Sequence, residues 1–320
     1  MKRDGYYIGI DGGGTGSRLR LEFEDGRAPV RLHGGPLNLC SVSEQAVEDT
    51  LKGLFCQVAD IVGDLRSLRG VGLGVAGFTN PNAVRFFREQ FLHRFPNVPL
   101  ALGTDAQAAL YGAHLEKNGI VLISGTGSVC YGIHHGLNCQ VGGGGHIIDD
   151  EGSGYAIGRD ILRAVLHAQD GRSGHTLLEE ALQEKYGIFS QGDLIAFTYA
   201  PNSRKETIAA IAPLLTPACE AGDTAALAIA RKAAEQLTLM AKVAVTRLQL
   251  EKGPIALSGS VLTKEPFVRR FLCEELDKNW ENIVYYSAKA DACVGATLMA
   301  RWAAAQQSHA LVPDEKGVEA

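Results

Sequence analysis

The sequence lacks several features that mark common functional classes. Its 320 residues contain no apolar run near the roughly 20 residues that a membrane helix needs, and no apolar leader at the start. Its seven cysteines are scattered and form no Cys-x-x-Cys pair, which favours reduced thiols. A net charge of −5 provides no positive field for nucleic acid or anionic lipid. We therefore expect a globular cytoplasmic protein that binds neither membranes nor nucleic acids.

Two common nucleotide-binding motifs are also missing. No Gly-x-x-x-x-Gly-Lys-Ser/Thr segment occurs, which excludes a P-loop enzyme. Residues 12–17 do not fit Gly-x-Gly-x-x-Gly because Ser17 takes the last glycine position, so a dinucleotide site is disfavoured. The histidines show no metal-ligand spacing, which disfavours a zinc site.

The sequence does contain a glycine-rich turn between two strand-like runs. A short apolar run ends at Asp11, residues 12–17 form the turn, and a run of alternating apolar and polar residues follows. Glycines allow backbone N–H groups to surround an anion, and the hydroxyl groups of Thr15 and Ser17 add donors. Asp11 could hold a metal ion through water. A single turn of this kind is equally consistent with an ordinary hairpin.

A second copy of the turn favours a phosphate site. Residues 125–128 repeat residues 14–17 identically, again between a predicted strand and a returning strand. Later strands repeat as well, in the pairs 71–77 with 255–260 and 100–106 with 284–292. The repeat predicts an α/β fold of two halves around a cleft, each half being a sheet covered by helices.

The repeat also sets the expected domain limits. We predict a first lobe over residues 1–115 and a second over residues 116–291, the second enlarged by a helical insertion at 173–217. The final helix, 292–305, is expected to pack back on the first lobe. The polar tail, 306–320, is expected to be frayed.

Capping signals predict where several helices begin. Ser41 and Glu44 fit a capping box at the start of a helix that ends near Ile61. Another helix is predicted after Asn80, and Asp223 is a candidate cap for a long one. Further helices are predicted over residues 106–115, 158–169 and 223–250.

Residues 142–154 form the richest polar cluster of the sequence. Four glycines are followed by His146, two isoleucines and three consecutive acids. This composition predicts a loop that brings carboxylates to a site, and carboxylates accept pairs of hydroxyl hydrogen bonds, which suits a sugar. The alternative is a solvated acidic turn.

Three segments together resemble the BadF/BadG/BcrA/BcrD ATPase family, and within it the N-acetylglucosamine and glucosamine kinases of the sugar kinase/actin superfamily. These segments are residues 11–15, 125–128 and 150–154, and the likeness covers nearly the whole chain up to about Ala305. The resemblance implies a duplicated ribonuclease-H-like (actin-like ATPase) fold with two lobes around a nucleotide cleft. It also implies ATP and Mg²⁺ as cofactors, an amino-sugar substrate and a homodimer.

The same resemblance implies roles for individual residues. Asp105 would be the base that takes the proton from the sugar 6-hydroxyl, and Asp11 would position Mg²⁺ through water. Asn38 and Asp150 would hydrogen-bond sugar hydroxyls. The residues implied to bind the nucleotide and its phosphates are Gly13, Gly14, Thr15, Gly125, Thr126, Gly127 and Gly259.

Gly143 and Gly144 would lie near the sugar and bear on substrate choice. N-acetylglucosamine kinases of the family often carry tryptophan where this chain has Gly144, and this difference weakens the argument for an acetylated substrate. Residues 166–171 look more like those of bacterial glucosamine kinases. A free amine at C2 would be cationic and would favour Asp149 or Glu151. We therefore expect glucosamine to be slightly favoured over N-acetylglucosamine.

Two alternatives belong to other classes. The family contains ATP-hydrolysing activators of radical dehydratases with an iron–sulfur cluster, and Cys130 and Cys139 flank the second hairpin. A non-catalytic sugar sensor is disfavoured, since such proteins usually add a DNA-binding helix-turn-helix. Asp291 occupies the position equivalent to Asp105, and we expect it to cap the last helix rather than to act in catalysis.

Overall fold

The computed structural model describes residues 5–250 and 253–310, with side chains up to Gln307. The chain forms two compact units. Among the described residues, the first comprises those up to Asn118 together with those from Ala288 onward, and the second comprises those from Gly119 to Ser287. Each unit contains one five-stranded sheet and its own hydrophobic core.

The sheet of the first unit has the strand order β3-β2-β1-β4-β5. Its strands are β1 (Tyr6–Gly12), β2 (Ser17–Phe23), β3 (Val30–Gly34), β4 (Leu68–Val75) and β5 (Leu100–Gly103). Its helices are α1 (Glu44–Val62), α2 (Pro81–Arg94), α3 (Asp105–His114) and α12 (Ala292–Ala310), with a 3₁₀ turn at Leu65–Ser67. The pattern of β2 explains its position, because Leu19, Leu21 and Phe23 enter the core while the residues between them stay accessible.

Strand register brings two acidic residues to one edge of this sheet. β1 and β4 are parallel, as are β4 and β5. Asp11 pairs with Gly74, and Gly74 pairs with Gly103, which is two residues before Asp105. The carboxyl ends of neighbouring parallel strands are where α/β sheets place their ligand sites.

The final helix, α12, packs on β1, β4 and α3 of the first unit. Glycines permit this close packing. A β-carbon at Gly72 would overlap the carbonyl oxygen of Ala296, and one at Gly295 would overlap that of Ala108. Asp291 accepts a hydrogen bond from the backbone N–H of Val294 at 3.2 Å, so its predicted capping role is confirmed.

The sheet of the second unit has the order β10-β9-β6-β7-β8. Its strands are β6 (Gly119–Ser124), β7 (Ser128–His134), β8 (Leu137–Gly142), β9 (Pro254–Ser258) and β10 (Val284–Ser287). Its larger helices are α4 (Gly154–Gln169), α5 (Leu177–Tyr186), α6 (Gln191–Thr198), α9 (Thr224–Arg247) and α11 (Pro266–Asn279). Short helices are α7 (Lys205–Ala209), α8 (Leu215–Glu220) and α10 (Ser260–Lys264), with a 3₁₀ turn at Ala212–Leu214.

The two sheets share one topology, because β8-β7-β6-β9-β10 repeats β3-β2-β1-β4-β5 in order and direction. The predicted α/β fold with a duplicated sheet is confirmed. The third strand of each sheet, β3 or β8, was missed. Both lie at a sheet edge and alternate apolar with polar residues, but each is only five or six residues long and has no fully buried residue, so the pattern was too short and weak to be recognised.

Helix starts agree with the predictions except where a different residue caps. Ser43, not Ser41, caps α1 by accepting from the Ala46 N–H at 3.3 Å. Ser153 caps α4, which therefore begins at Gly154 rather than at residue 158. The last helix continues past residue 305 to Ala310, so the start of the predicted tail is helical. Residues 311–320 of that tail lie outside the described residues.

Candidate active site

The first glycine turn, residues 13–16, joins β1 to β2. The Gly13 N–H donates to the Gly16 carbonyl at 2.9 Å, and the Gly13 carbonyl accepts from the N–H groups of Leu37 and Asn38 at 3.1 and 3.3 Å. Gly14 and Thr15 are exposed at its tip. The turn therefore has a fixed base, and this base holds Asn38 beside it.

The side chain of Asn38 also lies close to the backbone of Gly77. Its Oδ1 accepts from the Cys40 N–H at 2.9 Å, which fixes the side chain in a local turn. A β-carbon at Gly77 would lie 2.7 Å from this oxygen, and Gly77 has φ +90°, so only glycine fits there. In the described part of the chain the amide nitrogen of Asn38 has no hydrogen-bond acceptor, which leaves it free to donate to a ligand.

Asp11 is paired with Arg18, its neighbour across the hairpin. Arg18 donates to Oδ2 of Asp11 from Nε at 3.1 Å and also from Nη2. Among residues 5–250 and 253–310, no donor contacts the other oxygen, Oδ1. Asp11 therefore keeps one carboxylate oxygen available while Arg18 fixes the group's orientation.

Asp105 is the first residue of α3, directly after the helix cap Thr104, which accepts from the Gln107 N–H at 3.1 Å. The side chain reaches solvent. The protein atoms around it nevertheless displace part of its water, and this burial raises the pKa of Asp105. The negative charge of Asp11 raises that pKa further. The structure thus brings two predicted site residues, Asp11 and Asp105, into electrostatic contact.

The second glycine turn, residues 125–127, is bonded to the acidic loop that precedes α4. The Gly125 N–H donates to the Gly127 carbonyl at 2.9 Å, and the Gly125 carbonyl accepts from the Gly154 N–H at 2.7 Å. Buried Ser124 and Ser128 donate their hydroxyl groups to backbone carbonyls of this loop at 2.8 and 2.7 Å. The two serines on either side of the turn therefore hold the loop to the turn, which sequence reasoning did not foresee.

Gly259 lies against the second glycine turn. It has φ +92°, and a β-carbon there would overlap the Ser124 carbonyl and lie 2.9 Å from the Gly125 nitrogen. This contact places the start of α10 beside the turn. The predicted nucleotide-binding residues Gly125, Thr126, Gly127 and Gly259 are thus brought together within the second unit.

A pocket of about 250 Å³ opens beside this turn. The residues that line it come from the second unit alone. They are Gly125, Thr126, Gly154, Glu206, Ala209, Ala210, Ala212, Pro213, Ser260, Val261, Lys264 and Glu265. Small apolar side chains dominate its walls, and its helical wall at residues 205–213 belongs to the predicted insertion.

The three acids of the loop have three different environments. Asp150 is 4% exposed, adopts φ +62°, and accepts from the Ser128 N–H at 3.1 Å. Glu151 is paired with Arg159 at 3.0 Å. Asp149 accepts from the Gly144 N–H at 2.8 Å and, in the part of the chain that the structure describes, pairs with no cation.

The residues predicted near the sugar in this loop are backbone positions. Gly143 has φ +80°, which favours glycine. A β-carbon at Gly144 would lie 3.1 Å from both Cβ and Oδ2 of Asp149. The absence of a side chain at Gly144 is therefore what lets Asp149 approach this backbone.

The two cysteines considered for an iron–sulfur cluster are part of the core of the second unit. Cys130 is fully buried on β7, and Cys139 packs against the same core from β8. Over residues 5–250 and 253–310, no group of three or more His, Cys, Asp or Glu is arranged around a metal site. No described helix is both long and apolar enough to cross a membrane.

Comparison with known proteins identifies the family. The model of the BadF/BadG/BcrA/BcrD ATPase family matches residues 8–300. The chain belongs to this family. The resemblance predicted from its sequence is thereby confirmed.

Relatives of this family member are named as amino-sugar kinases. The N-acetylmuramic acid/N-acetylglucosamine kinase of Clostridium acetobutylicum is 30% identical over 92% of this chain and 98% of its own. The N-acetyl-D-glucosamine kinase of Dictyostelium discoideum is 28% identical over 92% of this chain and 97% of its own. The glucosamine kinase GspK of Vibrio cholerae is 35% identical, but over 57% of this chain and 61% of its own.

Solved structures share the fold. A Chromobacterium violaceum protein proposed to be an N-acetylglucosamine kinase superposes with a TM-score of 0.74 at 27% identity, covering 92% of this chain and 98% of its own. A ROK family glucokinase from Streptomyces griseus superposes with a TM-score of 0.54 at 15% identity, covering 93% of this chain and 99% of its own. The second likeness concerns the fold alone.

Proposed function

We propose that this protein is an ATP-dependent amino-sugar kinase that transfers the γ-phosphate to the sugar 6-hydroxyl. Membership of an ATPase family implies the use of ATP, and the relatives with the widest coverage are named as kinases of amino sugars. The observation that carries the proposal is the second glycine turn with its adjoining pocket. It offers backbone N–H groups for phosphate next to a small apolar cavity for a nucleoside.

Asp105 is the proposed general base. Its carboxylate would accept the proton of the 6-hydroxyl while the hydroxyl oxygen forms a bond to the γ-phosphorus and the bond from that phosphorus to the β–γ bridging oxygen breaks. A base within hydrogen-bond reach typically contributes about 10²–10⁴ in rate. A raised pKa suits this role, because it makes the carboxylate a stronger proton acceptor.

Asn38 and Asp150 are proposed to bind the sugar, with different availability. Asn38 offers its free amide nitrogen as a donor to a hydroxyl oxygen. Asp150 already accepts one backbone N–H and is almost fully buried, so its role would use the remaining acceptor capacity of the carboxylate.

The residues present fit a hydrated Mg²⁺ ion. Asp11 keeps Oδ1 available, and Asp105 lies close enough for the two charges to interact. Hard carboxylate oxygens reached through water are typical of Mg²⁺ sites. Asp11 would hold the ion, which when bound neutralises phosphate charge during transfer.

Glucosamine is the proposed first substrate and N-acetylglucosamine the second. Of the two acids predicted to attract a C2 ammonium group, Glu151 is already paired with Arg159. Asp149 has no cation partner in the described part of the chain and could supply that charge. The full-length relatives named for N-acetylglucosamine are the reason to retain the acetylated sugar.

The test is a coupled assay of ADP release with glucosamine, N-acetylglucosamine, N-acetylmuramate and glucose. Sugar-dependent release, absent in Asp105→Asn, supports the proposal, whereas release without any sugar would contradict it.

Two variants then test whether Asp149 recognises the amino group at C2 of the sugar. Asp149→Asn should raise the KM for glucosamine about tenfold and leave the KM for N-acetylglucosamine unchanged. Gly144→Trp, which crowds Asp149, should shift the ratio of kcat/KM values in the same direction.

A further inference from the structure

Glu265 is a buried carboxylate in the wall of the pocket beside the second glycine turn. It is 6% exposed and lies between α10 and α11. The Thr216 hydroxyl donates to its Oε2 at 2.6 Å. Burial raises the pKa of Glu265, and the bond from Thr216 opposes this rise. In the described ranges no lysine, arginine or histidine pairs with it.

A buried carboxylate with a single neutral partner is costly, so its presence calls for an explanation. A ligand in the pocket is a direct source of a second donor. The walls contain the side-chain donors Thr126, Ser260 and Lys264, but among the described residues none of these three is hydrogen-bonded to the Glu265 carboxylate. Glu206 lines the pocket as well but is only half-buried, so water already satisfies part of its hydrogen-bonding capacity.

The spacing between Glu265 and the second glycine turn fits the distance from phosphate to base in a nucleotide. Ser260, at the start of α10, lies beside Gly125 of the turn where phosphates are proposed to bind. Glu265 directly follows the last residue of α10, five residues after Ser260, which corresponds to about 7–8 Å along the helix axis. If the phosphates of a nucleotide lie on the turn, this distance extends beyond its ribose, so the base would lie near Glu265.

We propose that Glu265 selects the nucleotide base by accepting a hydrogen bond from its exocyclic amino group. The inference rests on the proposed function, because it takes the pocket as the nucleoside site of a kinase. Adenine presents an amino group at C6, whereas hypoxanthine and guanine present a carbonyl oxygen there. A carbonyl facing the carboxylate would place two acceptors together and be rejected.

The probe is a pair of nucleotides that differ only at this group. ATP and purine riboside 5′-triphosphate share every atom except the 6-amino group. With the best amino sugar at saturation, the wild type should show a kcat/KM at least about tenfold higher for ATP. In Glu265→Met this ratio should fall to near 1, because methionine has a similar length and no carboxylate. The KM for the sugar should stay unchanged in that variant.

Two further variants serve as controls. Glu220→Gln removes an exposed carboxylate outside the pocket and should leave the nucleotide ratio at its wild-type value. Glu206→Gln removes the other carboxylate of the pocket and should leave the ratio within about twofold of wild type, since a partly solvated group discriminates weakly. A ratio that collapses in Glu206→Gln and survives in Glu265→Met would overturn the proposal.

The outcomes separate this inference from the proposed function. If the wild type phosphorylates no amino sugar, the proposed function fails, and direct calorimetry with ADP and purine riboside 5′-diphosphate still tests Glu265. If transfer occurs but both nucleotides react equally well in the wild type, the inference alone fails. Should Glu265→Met not fold, Glu265→Gln replaces it. There the loss of charge should lower the ratio at least about threefold, and an unchanged ratio would count against the proposal.

Discussion

Asp105 is a residue whose proposed function and whose contribution to stability oppose each other. Its pKa in the folded protein lies above the 3.8 of an ordinary aspartate, through burial and then through the charge of Asp11. The charged form is therefore disfavoured by folding at any pH above the folded pKa. This penalty disappears as the pH falls through the window between the folded pKa and 3.8.

We predict that Asp105→Asn raises the free energy of unfolding of the metal-free protein at pH 7.5. The gain should be small, about 0.5 kcal/mol, because the side chain reaches solvent. It should shrink as the pH falls towards 4, where the wild-type carboxyl is protonated. Urea titrations at several pH values measure it, with the exposed Asp60→Asn as the control that shows no gain. A loss of stability at pH 7.5 would contradict the prediction.

The same substitution should remove catalysis and keep binding. Asparagine preserves the shape of the side chain but cannot accept the hydroxyl proton, so kcat should fall by about 10²–10⁴. Calorimetric titration should still detect ADP and the amino sugar with little change in affinity. A variant that retains kcat would remove Asp105 from the proposed chemistry.

Individual residues were predictable where they belong to a contiguous motif. The strand-end position of Asp105 and the short segments around Asp11 and Asp150 are readable from neighbouring residues. The partners Arg159 and Glu265 were not predicted. Glu265 accepts a hydrogen bond from Thr216, which lies 49 residues earlier in the sequence, and no local pattern predicts such a contact.

Among the elements, the strand-to-helix connection at Gly259 allows a sharp stability test. Gly259→Ala introduces a β-carbon at φ +92° that overlaps the Ser124 carbonyl, whereas Gly222→Ala does so at φ +80° in open space. Both variants place alanine at positive φ, which costs about 1–2 kcal/mol in the left-handed region. Gly259 also has ψ 159°, a combination essentially confined to glycine, so its backbone strain is at least as large, about 1–3 kcal/mol. Gly259→Ala also adds the overlap with the Ser124 carbonyl, so its loss should exceed that of the control by at least about 1 kcal/mol. Equal losses in denaturant titrations would contradict the described packing.

The second glycine turn allows a functional test at the same scale. Thr126 lies on the turn that we propose to bind the phosphates, so loss of its hydroxyl in Thr126→Val should raise the KM for ATP about tenfold. The KM for the sugar should change less than twofold. A larger effect on the sugar than on ATP would contradict the assignment of this turn to phosphate.

The elements show where sequence patterns suffice. The two hairpins with identical glycine turns can be predicted because the strands on either side of each turn have buried apolar residues in a recognisable pattern. The edge strands β3 and β8 are harder to read, since they are short, their apolar residues are only partly buried, and their position depends on pairing with β2 and β7. The start of α4 was misplaced because the capping residue Ser153 lies in a glycine-rich loop that favours no helix.

At the scale of the whole chain, ligand binding should be visible as added stability. A nucleotide that binds the folded protein alone stabilises it by about 2.7 kcal/mol at 100 times its dissociation constant. ADP with Mg²⁺ should therefore raise the melting temperature, and the rise should be smaller with EDTA and in Thr126→Val. Differential scanning fluorimetry measures this. An equal rise for wild type and Thr126→Val would argue that the nucleotide binds elsewhere.

The overall architecture was predictable because its sequence pattern occurs twice in the chain. One copy of the turn was ambiguous, but two identical copies with matching later strands fix the duplicated α/β fold, and family membership agrees with it. Roles assigned to Asp11, Asn38 and Asp150 stay predictions, as do the choice of sugar and the dimer.

The packing of α12 has a consequence for biosynthesis. The sheet of the first unit is covered by α12, which follows the whole second unit in sequence. At Gly72 the strand backbone meets the α12 backbone, and at Gly295 the α12 backbone meets that of α3, with no side chain between them. The ribosome must therefore synthesise the whole second unit and then α12 before the sheet of the first unit can acquire its cover. The second unit lies between these two parts in sequence, and its described strands are complete by Ser287. It can therefore fold before α12 covers the sheet of the first unit. A released fragment that ends at residue 291 should protect the later sheet from protease and leave the earlier one open to cleavage.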